Sequence, residues 1–222
     1  MRLSRPTVRS RLVAKLTVLA CVASGAAATA AVTAAPASAA CTDIDVVVAR
    51  GTGEPGTLGW IVGDPVYAAL KNKIAFKSFM GYPVNYPADL SIGSASKGNT
   101  DLVNHIKSQA ASCPNQKFVL VGYSQGANVV DNSIGVSSDG ALVGGPITAT
   151  IPASAEPRVA AVLLFGNPIR AIGRKVTGAY AGRTLDTCAT GDPICGNGID
   201  ITAHLSYGND AAQAAAFAAG KL

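Results

Sequence analysis

Phe118-Val119-Leu120-Val121-Gly122-Tyr123-Ser124-Gln125-Gly126 is the stretch on which the reading of this chain turns. Its apolar opening reads as a buried strand spanning residues 117–122, and the following segment, Gln125–Ser133, reads as a helix. Between them lies G-x-S-x-G, which acquires meaning in a strand, turn, helix context. Glycines at 122 and 126 permit a turn too tight for side chains, and that turn lifts the Ser124 hydroxyl above the sheet. The Gln125 N–H, at a helix N-terminus, then faces any carbonyl that the serine attacks. The bland alternative is an ordinary Gly-rich strand-to-helix turn.

Around this centre, short apolar runs alternate with amphipathic segments, the pattern of a parallel sheet covered by helices on both faces. Ile44–Ala49 and Val159–Phe165 read as further buried strands, with 82–86 and 183–185 as shorter ones. Residues 64–73 read as a helix with Pro65 in its first turn. Asn99 or Thr100 is positioned to cap a helix in which Leu102, Val103, Ile106 and Ala110 recur, ending before Pro114. An alanine-rich helix over 210–219, stopped by Gly220, closes the chain. Residues 135–157 have no firm period and read as a surface excursion. The segment from 41 to 222, about 180 residues, suits one domain with its own core.

Charge separates the first 40 residues from the rest. The 222-residue chain has 18 basic and 13 acidic side chains, a net charge of +5. Five of the cations (Arg2, Arg5, Arg9, Arg11 and Lys15) precede every acid, so the remainder holds 13 of each sign. A balanced body lacks the basic stripe that a nucleic acid or an anionic membrane would require. The basic head runs into an apolar, alanine-rich stretch and then Pro36-Ala37-Ser38-Ala39-Ala40, the order of a secretory signal cleaved after Ala39 or Ala40. An uncleaved signal anchor is the alternative. With the leader removed, no stable membrane anchor is expected, and nothing in the sequence demands an oligomer.

Export places Cys41, Cys113, Cys188 and Cys195 in an oxidising compartment, while Cys21 leaves with the leader. Four cysteines allow three pairings. The short Gly- and Pro-containing loop between the last two favours Cys188 with Cys195 and Cys41 with Cys113, contributing roughly 2.5 and 4 kcal/mol on the chain-entropy model. A zinc site competes weakly, because there is no CxxC pair and histidine is scarce. Neither a metal nor a cofactor is expected.

A serine hydroxyl needs a base to take its proton. His105 sits inside the helix before Ser124 and reads as a partly exposed helix residue. His204 follows Ser124 in a short loop and satisfies the order serine, acid, histidine. Asp186, Asp192 and Asp200 are the acids between them. Asp192 is favoured because Cys188, Cys195 and Pro193 would pin its backbone, whereas Asp200 suits a helix cap. A second oxyanion donor is sought after the first strand, where Thr52 offers an N–H and a hydroxyl between Gly51 and Gly53. Arg50 and Glu54 flank it as a candidate structural ion pair. Tyr123, Leu205, Ile199 and Ile201 are candidates for an apolar cleft wall.

Ala49-Arg50-Gly51-Thr52-Gly53-Glu54, Tyr86-Pro87-Ala88, the Gly122–Gly126 block, Asp192-Pro193-Ile194-Cys195 and Ala203-His204-Leu205-Ser206-Tyr207 together resemble the cutinase family. The resemblance is strongest to its actinobacterial branch, including the mycobacterial members, and it spans nearly the whole chain after residue 40. It implies a small single-domain α/β-hydrolase with a central, mainly parallel sheet and no large lid. It also implies a triad of Ser124, Asp192 and His204, an oxyanion hole of Thr52 and Gln125, and the disulfide pairing favoured above. The substrate implied is a short- to medium-chain or lipid-like ester, met outside the cell or at its wall. A phospholipase, thioesterase, acyltransferase or carbohydrate acetyl esterase would use the same machinery, and a non-catalytic binding protein is the alternative outside enzymes. The 135–157 excursion is longer and richer in glycine than the family's pattern.

Overall fold

A computed structural model describes residues 41–222. The expected leader, residues 1–40, lies outside the described residues. The domain is α/β, with a five-stranded sheet in which every neighbouring pair is parallel. Its strands are β1 (Ile44–Ala49), β2 (Phe79–Pro83), β3 (Lys117–Tyr123), β4 (Val159–Phe165) and β5 (Thr184–Thr187), ordered β2-β1-β3-β4-β5. The helices are α1 (Gly63–Lys73), α2 (Ser94–Ser112), α3 (Gln125–Ser133), α4 (Ile201–His204) and α5 (Ala211–Ala219).

Alternation along the strands builds two cores. Val47 and Ala49 of β1, Phe118 and Leu120 of β3, and Val162 and Leu164 of β4 pack with Leu102, Val103 and Ile106 of α2 and Ala127 and Val130 of α3. Val46, Val48, Val119, Val121, Leu163 and Phe165 point the other way, onto Val66 and Leu70 of α1 and Ala214 and Ala218 of α5. With both faces covered, the strands read as continuous apolar runs. Each fully buried aliphatic side chain contributes roughly 1.5–3 kcal/mol.

Several boundaries differ from expectation for identifiable reasons. The second strand lies at 79–83 rather than 82–86, in register with Ile44 to Val48. The fifth starts at Thr184 and extends to Thr187. Neither Asn99 nor Thr100 caps α2: the helix begins five residues before Asn99, at Ser94, after Gly93 turns the chain with φ +87°. Asn99 is fully buried mid-helix, where its Nδ2 donates to Ser133 Oγ and Ala149 O and its Oδ1 accepts from the N–H groups of Thr148 and Ala149. Asn128 and Asn132 of α3 donate to Leu142 O and Gly145 O. Three buried asparagines thus tie down the irregular 135–157 segment, which cannot hold itself by periodic packing.

Asp131, also in α3, is one of several buried polar side chains without such satisfaction, and both of its carboxyl oxygens are affected. It is fully buried, and its carboxyl oxygens have no hydrogen-bond partner among the described residues. Burial, followed by the neighbouring Asp186 carboxyl, pushes its pKa well above the usual carboxylate range. A raised folded-state pKa means that stability from this group is full below the unfolded value near 4 and declines as pH rises toward the folded value. Replacing Asp131 with Asn is therefore expected to raise the melting temperature at pH 7, with a gain that shrinks as pH falls toward 4. Paired thermal melts across that range check it, and a gain independent of pH would contradict it.

Candidate active site

The turn at Ser124 has the geometry its glycines permit. Ser124 sits at φ +55°, ψ −120°, between β3 and α3, a strained conformation for a residue with a side chain. A Cβ built on Gly126 would lie 1.9 Å from the Ala49 carbonyl oxygen, so only glycine lets α3 begin this close to β1. The Ser124 N–H donates to Phe165 O at the end of β4 (2.9 Å). Gln125 is the first residue of α3, so its N–H is one of the donors that helix geometry leaves free.

Asp192 arrives from beyond β5, the strand at the edge of the sheet. After β5 the chain enters the loop closed by the Cys188–Cys195 disulfide, and a second disulfide joins Cys41 to Cys113. Asp192 lies inside the short loop, 1% exposed. Its Oδ2 accepts from His204 Nδ1 (2.7 Å) and from the Tyr207 hydroxyl (2.5 Å), while its Oδ1 accepts from the Ile194 N–H (2.7 Å). Burial alone would raise the Asp192 pKa, but the Tyr207, His204 and Ile194 hydrogen bonds outweigh it and hold the carboxyl below its ordinary value.

His204 is buried and ends α4, a single helical turn rather than the expected loop. Its ring lies against Gly166, next to the residue that holds the Ser124 N–H: a Cβ on Gly166 would fall 2.6 Å from His204 Cε1. Tyr123 on β3 donates its hydroxyl to His204 O (2.8 Å). Among the hydrogen bonds of the described residues, none joins Ser124 to His204. Such contacts often tighten only when substrate arrives.

The other two acids are engaged elsewhere. Asp200 caps α4 by accepting from the Thr202 N–H and hydroxyl (2.9 and 2.6 Å). Asp186 lies in β5 beside Asn167 and Arg170. His105 is at the opposite end of β1, where Nε2 meets the fully buried Asp45 Oδ2 at 2.7 Å and the ring stacks on Tyr82. It is a partly exposed helix residue, as expected, and it takes no part in the Ser124 site.

Arg50 and Glu54 do brace the loop that carries Thr52, though not as an ion pair. The Glu54 carboxylate accepts from the N–H groups of Gly51 (2.7 Å) and Ile61 (2.9 Å). Arg50 donates to the backbone oxygens of Glu54 (2.8 Å), Val84 (3.2 Å) and Tyr86 (2.7 Å). Both are buried, and each charge is solvated by backbone dipoles. Thr52 is left exposed at the tip, and Gly53 N–H ties the loop to Ala88 O. The Gln125 side chain anchors the facing loop, donating to Asp89 O (2.8 Å).

A match of residues 40–222 to the cutinase family model accompanies this geometry. The chain belongs to the cutinase family. It thereby belongs among the serine carboxylic ester hydrolases. A "Cutinase" of Kineococcus radiotolerans is 40% identical over 82% of the chain, which spans 63% of that relative's length. "Phospholipase Culp4" of Mycobacterium tuberculosis is 41% identical over 78% of this chain and 75% of its own. Among solved structures, Trichoderma reesei cutinase in complex with a phosphonate inhibitor is 36% identical, with a TM-score of 0.66, covering 81% of this chain and 76% of that one.

Within this cutinase-family site, Tyr123 is no cleft wall. It is buried beneath His204, whereas Ile199, Ile201 and Leu205 are exposed. Leu90 and Ile92 add exposed aliphatic surface on the loop anchored by Gln125, a contribution that no periodicity announced. Tyr207, three residues after His204, is a further residue of the site, and its hydroxyl reaches Asp192. Cys188, Asp192 and Cys195 place ligand-type atoms within 4.8 Å of one another, but the disulfide consumes both sulfurs, so the cluster scaffolds the acid.

Replacing Cys188 and Cys195 together with Ser is expected to cost roughly 2.5 kcal/mol of stability. It should also lower kcat by up to about a hundredfold through displacement of Asp192, with KM little changed. Thermal melts and steady-state kinetics on the same preparation separate the two effects. Unchanged kcat in the folded double mutant would remove the disulfide's role in placing Asp192.

Proposed function

We propose that this protein is a secreted serine esterase that hydrolyses short- to medium-chain or lipid-like esters through an acyl-enzyme. The observation that carries the reading is the strained Ser124 turn beside a buried, hydrogen-bonded Asp192–His204 pair. Ser124 Oγ attacks the ester carbonyl as its proton passes to His204 Nε2. Asp192 holds the Nδ1 tautomer and stabilises the imidazolium. The oxyanion is held by the Gln125 N–H and by Thr52 through its N–H and hydroxyl. His204 returns the proton to the departing alcohol, and water, activated by the same base, cleaves the acyl-enzyme.

Two disulfides and the leader-like first 40 residues support an extracellular or cell-wall location. Among the described residues, no helix is long and apolar enough to cross a membrane. The exposed Leu90, Ile92, Ile199, Ile201 and Leu205 suit an apolar acyl chain better than a charged one. The phospholipase name of a 41% identical relative favours a second reading, in which the ester belongs to a phospholipid. A chain-length series of p-nitrophenyl esters, run beside phosphatidylcholine, distinguishes the two substrates.

Replacing Ser124 with Ala is expected to abolish p-nitrophenyl butyrate hydrolysis and fluorophosphonate labelling without unfolding the domain. Retained activity would overturn the assignment of the nucleophile. Protonation of the general base removes its function, so kcat/KM should fall as the solution is acidified. A flat profile between about pH 5 and 8 would instead exclude His204 as the base.

A further inference from the structure

We propose that Tyr207 is a positioning residue for the acid–base pair, donating its hydroxyl proton to Asp192 Oδ2, the same oxygen that receives His204 Nδ1–H. The proposal rests on the serine-esterase reading and adds a residue to it. Tyr207 is fully buried at the start of the turn that leads into α5, and three neighbours surround its hydroxyl. Asp192 Oδ2 is 2.5 Å away, the Ala189 N–H donates to it at 3.0 Å, and Cys195 Sγ lies at 3.3 Å. The Ala189 N–H uses the phenol oxygen as an acceptor, and of the two acceptors left for the phenolic proton a carboxylate at 2.5 Å is far stronger than a disulfide sulfur at 3.3 Å. The single phenolic proton is therefore directed to Asp192.

The ring has little freedom to turn elsewhere. It packs edge-on to Phe165 (5.9 Å between centroids), Tyr123 (6.0 Å) and His204 (6.0 Å). Burial, and then the hydrogen bond to Asp192, hold the phenol above its ordinary pKa, so it remains a donor throughout the working pH range. A second donor on Oδ2 withdraws charge from the carboxylate. That keeps Asp192 ionised despite burial and limits how strongly it attracts the proton on His204.

The other titratable groups near the pair are accounted for. Tyr123 faces His204 from β3 and spends its proton on His204 O, while Glu54 stands behind Tyr123 with its carboxylate on two backbone N–H groups. Asp200, on the α4 side, is committed to Thr202. Asp210 is on the same turn as Tyr207 but makes no hydrogen bond to the pair among the described residues.

Replacing Tyr207 with Phe keeps the ring and removes the donor. The expected result on the full chain is a fall of about tenfold in kcat, with KM within about twofold. The acidic limb of the kcat/KM profile should move to higher pH, because an undamped Asp192 stabilises the imidazolium more. Placing 3-fluorotyrosine at position 207, a stronger donor in nearly the same shape, should move that limb to lower pH. Opposite shifts are the signature of hydrogen-bond donation, since a packing role predicts neither. An active Y207F protein with wild-type kcat and an unmoved limb would overturn the proposal. If Y207F does not fold, the fluorotyrosine protein decides alone, and an unmoved limb there overturns it equally. A wild-type protein without Ser124-dependent hydrolysis would remove the esterase reading and this role with it.

Discussion

The approach of the first turn of α3 to the end of β1 is the contact on which the rest of the site depends. Gly126 rests against the Ala49 carbonyl at a distance no side chain survives, so β3 passes into α3 without a connecting loop. That abrupt passage forces Ser124 into positive φ and leaves the first N–H groups of α3 free at the sheet edge. Because all the strand pairs are parallel, the carboxyl ends of β1, β3, β4 and β5 share that edge. The loops after them are delivered beside Ser124 whatever their own sequences. The same topology puts His105 and Asp45 at the far edge, where they form a hydrogen-bonded pair that the reaction does not need.

Around this contact the protein buries charge by surrounding it with backbone donors and acceptors rather than with opposite charge. Arg50 is spread over four carbonyls and Glu54 over two N–H groups. A buried ion pair in their place would pay the desolvation of both partners and leave the loop backbone unsatisfied. Asn99, Asn128 and Asn132 solve the same problem for the 135–157 segment, whose backbone polar groups lack a regular ladder. Asp131 departs from this practice, and burial keeps its carboxyl protonated well beyond the usual range.

The parts of this molecule legible in sequence were those set by local pattern. Valine-rich runs gave β1 and β4, and the glycine-flanked serine gave the turn between β3 and α3. The pairing of Asp192 with His204 and the capping position of Asp200 were legible from chain order and loop context. What escaped was set by partners distant in sequence. Asn99 resembles a cap because its neighbours are polar, and only the fold reveals that its amide reaches Thr148 and Ala149, about fifty residues away. Tyr123 looks like a wall because it adjoins the serine, yet strand alternation turns it under His204. The Arg50–Glu54 pair was read from charge, but the carboxylate and guanidinium each found backbone first.

The choice among the three acids shows why chain order alone could not finish the argument. All three lie between Ser124 and His204 in sequence, and each has a partner in the fold. Asp200 spends its carboxylate on Thr202, at the start of the helix that carries His204, and so helps place the base without touching its ring. Asp186 answers Arg170 and Asn167. Only Asp192 reaches the imidazole, and to hold it in one orientation it must be buried, which by itself would favour the neutral carboxylic acid. Donors from Tyr207, His204 and Ile194 reconcile the two demands. Those donors converge because the Cys188–Cys195 bridge closes the loop around the carboxylate, so in the proposed reaction the disulfide acts by confining Asp192 rather than by bearing on Ser124.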